Sequence, residues 1–297
     1  MTDKKITIIT SVYNADKLIE TFLKNICILG GFSLCELLLY DISNSHKDNK
    51  YVKYVIELYQ NSYSNITYIE ILEDPGLYEI WNMGIRRADT EYITNANLDD
   101  IRKKDHLMKH LYYLEKYNVD LVSCSYYTTK QLPDTWIDKY NAKITDLSCN
   151  MYDINTTENI VYYNHTNILY QTSTTSYIKN NLPHCAPIWN KRLHNNNQYF
   201  DEHKYGFTAD TSLWYNSSKI NNLQYLHIKE PMVLCYINET THSENASIIS
   251  KLLLSEIENS NQYKYFITKN KNKYKNNRKL ICMATHFYLN FKILLSQ

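Results

Sequence analysis

Glycine and proline are nearly missing from this chain, five of each in 297 residues. The usual phosphate-cradling loops are missing too: neither G-x-x-x-x-G-K nor G-x-G-x-x-G occurs. Charge of one sign is missing as well. The net charge is +1 at pH 7, which removes the electrostatic case for nucleic acid as a partner. Seven cysteines are scattered with no C-x-x-C pair and no His-rich zinc spacing. That pattern fits a reducing compartment, with most thiols acting as small core residues. No apolar run reaches the roughly 18 residues of a membrane-crossing helix, and the chain goes from a charged opening straight into a strand pattern without a signal peptide. The expectation is a cytoplasmic protein.

Tyrosine, by contrast, stands at 29, and Asn, Lys and Ile are abundant. An AT-rich coding sequence explains that bias. It makes sequons such as Asn155-Thr156-Thr157 chance products rather than glycosylation sites. The few glycines are more informative. Gly76, Gly84 and Gly206 all fall in the segments that carry motifs, where the backbone needs them.

The most informative segment runs from Glu73 to Asp100. Asp74-Pro75-Gly76 is a turn signal. Leu77, Ile80, Trp81, Gly84, Ile85 and Ala88 then mark one face of a helix. Gly84 costs that helix about 1 kcal/mol against Ala, so it is expected where something packs too closely for a side chain. Glu91 to Thr94 reads as a short strand. It leads to Asn97-Leu98-Asp99-Asp100, paired carboxylates at a strand's carboxyl end. Ligands bind at that end in open α/β sheets, and paired carboxylates there suit a divalent cation and the phosphates it carries.

The rest of the first half repeats the pattern. Ile6 to Val12, Glu36 to Tyr40 and Ile66 to Ile71 read as strands. Leu18, Phe22 and Ile26, with Asn14 as N-cap, mark one intervening helix, which ends at Gly30-Gly31. Val52, Val55, Ile56 and Tyr59 mark another. A helix from Leu107 to Tyr117 and a strand from Leu121 to Tyr126 follow. Alternating strands and helices predict a parallel sheet. Polar residues cluster at successive strand ends: Thr10 with Tyr13 and Asn14, then Asp41, Asp74 and Asp99 with Asp100.

The ordered set Asp74, Gly76, Trp81-Asn82, Gly84-Ile85, Ala88, Glu91-Tyr92-Ile93 and Asn97-x-Asp99-Asp100 resembles the family 2 glycosyltransferases. The fold this implies is α/β, a Rossmann-like, mostly parallel sheet of the glycosyltransferase A type. The implied reaction is an inverting sugar transfer from a nucleotide-diphosphate donor, UDP-linked, to a hydroxyl of a glycan or protein acceptor. The implied cofactor is a divalent cation, Mn2+ or Mg2+, on Asp99, with Asp100 as second choice. Asn97 stands where the family usually has the first acid of D-x-D, and its amide can still accept from a ribose hydroxyl. The loop Ser11 to Ala15 resembles the family's nucleotide-lining motif, and Asp41 matches the acid that bonds the uracil ring. The usual glycine after that acid is missing. Thr10, Tyr13, Asn14, Asp74, Asn82 and Arg86 complete the expected donor side.

A second block, Phe200-Asp201-Glu202 and then Ala209-Asp210, resembles the acceptor side. Its first acid is replaced by Ala209. Asp210 keeps the second position, where a carboxylate can take the acceptor's proton as general base. A plain helix-capping role is the alternative. Trp189 and Trp214 are either a platform under a sugar or core. Met232 to Ile237 reads as a strand, after which His242 is the positional candidate for a third metal ligand. The catalytic domain is expected over residues 1–247, with a nucleotide-sugar half at 1–127 and an acceptor half at 128–247. Residues 248–297 form a helical, basic extension that docks on the domain, pairs with a second copy or touches a membrane surface. Two rivals stand beside this reading. A nucleotidyltransferase lacks its Gly-rich loop here. A degenerate transferase kept as a nucleotide-binding scaffold is favoured by the two missing acids and opposed by Asp41, Asp99 and Asp210.

Overall fold

The structure is a computed structural model that describes residues 3–42, 50–129, 131–136, 160–164, 169–171, 178–180, 183, 186–206, 209–218 and 223–236. The expected extension from 248 and His242 lie outside these residues. Along the chain come β1 (Ile6–Val12), α1 (Ile19–Cys27), β2 (Cys35–Asp41), α2 (Lys50–Ser62), β3 (Ile66–Glu70), α3 (Leu77–Arg87), β4 (Tyr92–Asn95), β5 (Ile101–Arg102), α4 (His106–Tyr117) and β6 (Leu121–Thr129). Then follow β7 (Ile160–Asn164), β8 (Leu169–Gln171), β9 (Ile178–Asn180), β10 (Ile188–Asn190), α5 (Glu202–Tyr205), α6 (Ala209–Ser218) and β11 (Gln224–Tyr236).

Among the described residues the main sheet has nine strands, in the order β3-β2-β1-β4-β10-β6-β11-β5, with β7 pairing β11. From β3 to β4 every pairing is parallel, as the strand–helix alternation predicts. The register puts Glu70, Asp41 and Val12 side by side at one edge. β10 then joins β4 to β6 by antiparallel pairing on both sides. Sequence reading missed this strand because three residues carry no period. It also began the last strand at Met232, whereas β11 starts at Gln224. Lys229, Glu230 and Pro231 resemble a break, but register shifts around Pro231 let the pairing with β6 continue past it.

Side-chain alternation along the strands divides the core into two layers. Ile6 and Ile8 of β1 face Phe22 of α1, Val52 of α2 and Leu111 of α4. Ile9 faces the other way, among Ile80, Trp81 and Ile85 of α3 and Leu213 and Trp214 of α6. Gly84 is where α3 meets β1: a Cβ there would lie 2.6 Å from Cγ2 of Ile9. The close packing expected of this glycine is present. The first helix starts later than expected, at Ile19. Asn14 is not its cap but a turn residue in left-handed conformation, φ 48°.

Candidate active site

In a parallel sheet all strands end at one edge, and here that edge collects the polar strand ends. Tyr13 and Asn14 follow β1 and are exposed. Asp41 closes β2. It is buried, and the Tyr68 hydroxyl on β3 donates to its Oδ2 at 2.8 Å. Burial and then the Asp41 charge push the Tyr68 phenol above its usual range, so the donor stays protonated. Asp74 is exposed and accepts the Gly76 N–H at 2.9 Å, closing the turn into α3.

Asp99 and Asp100 follow β4, both half-buried. The Asn97 amide donates to Oδ2 of Asp100 at 3.1 Å. Burial raises the Asp99 carboxyl above its ordinary value, opposed only by its own backbone N–H. A half-desolvated carboxylate without a basic partner among the described residues fits a cation-ligating role.

Asp210 lies in the first turn of α6, within the helix rather than before it. Its Oδ1 accepts the Thr211 N–H at 2.6 Å. The Tyr78 phenol, at the start of α3, lies against Asp210 and interacts with both its backbone N–H and its carboxylate. Burial first, and the Asp210 charge second, raise the Tyr78 phenol, so the phenol is the donor. Because α3 begins just after β3, this contact sets Asp210 against the ligand-binding edge. Glu202 reinforces the junction by accepting the Tyr78 N–H at 3.0 Å. Gly76, at φ 91°, allows the approach: a Cβ would lie 2.6 Å from Oε2 of Glu202. Sequence reading passed over Tyr78. Its signal was available, a polar-tipped aromatic directly after a strand-end turn.

Other expected site residues sit elsewhere. Thr10 is fully enclosed within β1, two positions before the edge, and its hydroxyl makes no hydrogen bond among the described residues. Asn82 is buried and bonds backbone, donating to the Phe200 carbonyl at 2.8 Å and accepting its N–H at 3.0 Å. Arg86 lies in the last turn of α3. A helix joining parallel strands runs back from the ligand edge, and nine residues at 1.5 Å each carry Arg86 roughly 14 Å from the helix start. Its side chain reaches back along the helix to pair with Glu79 of the first turn, and its guanidinium covers the Tyr199 ring. Trp189 is 0% and Trp214 4% exposed, and they pack edge to face at 5.1 Å. Both indoles are core and offer no platform to a sugar.

A sequence profile described as Glycosyl transferase family 2 matches residues 7–188. No curated protein matches the sequence. Among solved structures, S. aureus TarS 1-349 in complex with UDP-GlcNAc is similar, with TM-score 0.60 and 13% identity over 93% of this chain and 74% of that one. Another TarS crystal structure gives TM-score 0.59 and 14% identity; the match covers 92% of this chain but spans only 45% of that one. The mannosyltransferase PcManGT from Pyrobaculum calidifontis, in complex with GDP-Man and Mn2+, gives TM-score 0.55 and 15% identity over 96% of this chain and 74% of that one. These likenesses show a shared fold.

Proposed function

The chain belongs to glycosyltransferase family 2, and from that premise we propose an inverting transfer of a sugar from a nucleotide diphosphate, UDP-linked, to a hydroxyl of a glycan or protein acceptor. The observation that supports the reading is the interaction of Asp210 with Tyr78, which stands at the start of α3 just after the strand-end turn. The similar TarS 1-349 structure contains UDP-GlcNAc and the PcManGT structure GDP-Man with Mn2+, which supports a nucleotide-sugar donor here.

Asp41 accepts from the base, and the Asn97 amide oxygen accepts from a ribose hydroxyl. Tyr13 and Asn14, exposed after β1, line the nucleotide. Asp99, with Asp100 beside it, would hold a divalent cation, Mn2+ or Mg2+, which supplies Lewis-acid neutralisation of the leaving diphosphate when bound. Asp210 takes the proton from the acceptor hydroxyl as its oxygen attacks the anomeric carbon. The new C–O bond forms as the bond to the diphosphate breaks on the opposite face, so the configuration inverts.

The test is donor hydrolysis across a panel of nucleotide sugars, with Mn2+ and with chelator. Nucleotide release from one donor, lost with chelator and in Asp99→Ala, is the expected result. Metal-dependent UDP binding without turnover, even when acceptors are supplied, would instead establish the scaffold reading.

A further inference from the structure

The α4 face of the sheet holds a side-chain cluster that the proposed reaction does not use. His106 and His110 stand one turn apart on α4, both 0% exposed, with ring centroids 4.0 Å apart. Cys124 reaches the same place from β6 and is also buried. One donor atom from each of the three lies within 4.8 Å of the other two.

Hydrogen bonding fixes the free lone pairs. His110 Nδ1 lies 2.7 Å from the His106 carbonyl oxygen, and a ring nitrogen meets a carbonyl so closely only as a donor. The proton is therefore on Nδ1, and Nε2 carries a bare lone pair with no hydrogen-bond partner. The ring nitrogens of His106 likewise complete no hydrogen bond, although the Ala186 backbone approaches that ring. Metal-ligating histidines are built like His110, with one N–H spent on a carbonyl and the other nitrogen bare. Buried polar atoms in native proteins are rarely left unsatisfied, so the bare His110 Nε2, in a cluster with His106 and a buried thiol, needs an occupant.

We propose that His106, His110 and Cys124 form a buried structural site for a closed-shell thiophilic cation, Zn2+ or Cu+, that ties α4 to β6. Imidazole and thiolate select these ions over the Mg2+ or Mn2+ suited to the oxygen ligands at Asp99. Metal–nitrogen bonds of about 2.0 Å and a metal–sulfur bond of about 2.3 Å set donor spacings near 3.3–3.8 Å, so on binding the donors draw together by about 1 Å and the stacked rings, now 29° apart, rotate to bring both lone pairs onto the ion. The Cys124 proton leaves to solvent on binding, and the resulting thiolate offsets the ion's charge beside the buried Arg102 guanidinium. The site is independent of the transferase reading.

The experiment uses the full chain, expressed in zinc-supplemented medium and separately in copper-supplemented medium. Each preparation is gel-filtered in metal-free buffer, which removes weakly held ions, and its metal content is then measured. About one Zn or Cu per chain is expected to remain, and the two media distinguish the ions. Asp99→Ala keeps it, and Cys124→Ser lowers it at least tenfold. Should Cys124→Ser fail to fold, X-ray absorption at the retained metal's edge in the wild-type chain reads the shell directly. One sulfur and two nitrogens support the site. No retained metal, a shell without that set, or unchanged retention in folded Cys124→Ser overturns it.

Discussion

Asn82 and Phe200 satisfy each other across 118 residues of sequence: the buried amide donates to the Phe200 carbonyl at 2.8 Å and accepts the Phe200 N–H at 3.0 Å. One side chain thus stands in for a strand partner and joins α3 to the segment that leads into α5 and α6. Asn82→Ala leaves both backbone groups buried and unpaired. The expected loss is about 2 kcal/mol, read from urea unfolding, with nucleotide affinity changed less than about threefold. A much larger drop in nucleotide affinity than in stability would return Asn82 to the donor site.

Gly84 sets two effects against each other. Alanine gains about 1 kcal/mol of helix propensity. Its Cβ would meet three Ile9 carbons, the nearest at 2.6 Å, and overpacking costs about 1–3 kcal/mol. The clash dominates, so Gly84→Ala lowers the unfolding midpoint. In an Ile9→Ala background the same change becomes neutral or stabilising, a coupling that a double-mutant cycle measures.

Tyr78→Phe keeps the ring contacts with Trp81 at 5.0 Å and Phe200 at 5.4 Å and removes only the hydroxyl. Without that donor the ionised form of Asp210 is less favoured. The acid limb of the pH–rate profile for transfer is expected to move to higher pH. A purely structural role would lower the rate without moving the limb.

His194 must be neutral to fit its place. The Trp189 indole N–H donates to Nε2 at 2.8 Å, and Nδ1 donates to the Gln198 carbonyl at 2.7 Å. Protonation would set two donors face to face. Burial pushes this histidine down to about 4. Its folded pKa lies below the unfolded one, so the unfolded state binds more protons as pH falls. Stability is flat above about pH 6.5, declines below it, and has lost about 2 kcal/mol from this group at pH 5. Denaturant melts at pH 7 and pH 5 check this, and His194→Gln should reduce the difference by this group's share, since the buried His106, His110 and His227 are lowered too.

Burial raises the Asp99 carboxyl, so protons compete with a bound cation at higher pH than at an ordinary aspartate. Mn2+-dependent nucleotide binding is expected to weaken as pH drops from 7.5 towards 5, and Asp99→Asn should remove the metal dependence. Titration calorimetry across that range reads both.

Local chemistry was enough to write the parallel half of the sheet in the sequence. Apolar periods set β1 to β4 and the helices between them. Asp74-Pro75-Gly76 set a turn, and Asp41 and Asp99 fell at strand ends because the period stops there. The facing of a side chain was legible, since period 2 and period 3.6 are local. What covers that face was not, since the covering group comes from distant sequence. Trp189 and Trp214 fitted a platform or a core equally well until the sheet and α6 closed over them. Asn82 carried the family pattern, yet its partner lies far along the chain. Arg86 was adjacent to motif residues in sequence, but in the fold its guanidinium is taken up by Glu79 and the Tyr199 ring. Tyr78 and Asp210 meet only because α3 and α6 start at the same edge, a relationship that exists in three dimensions and has no period to announce it.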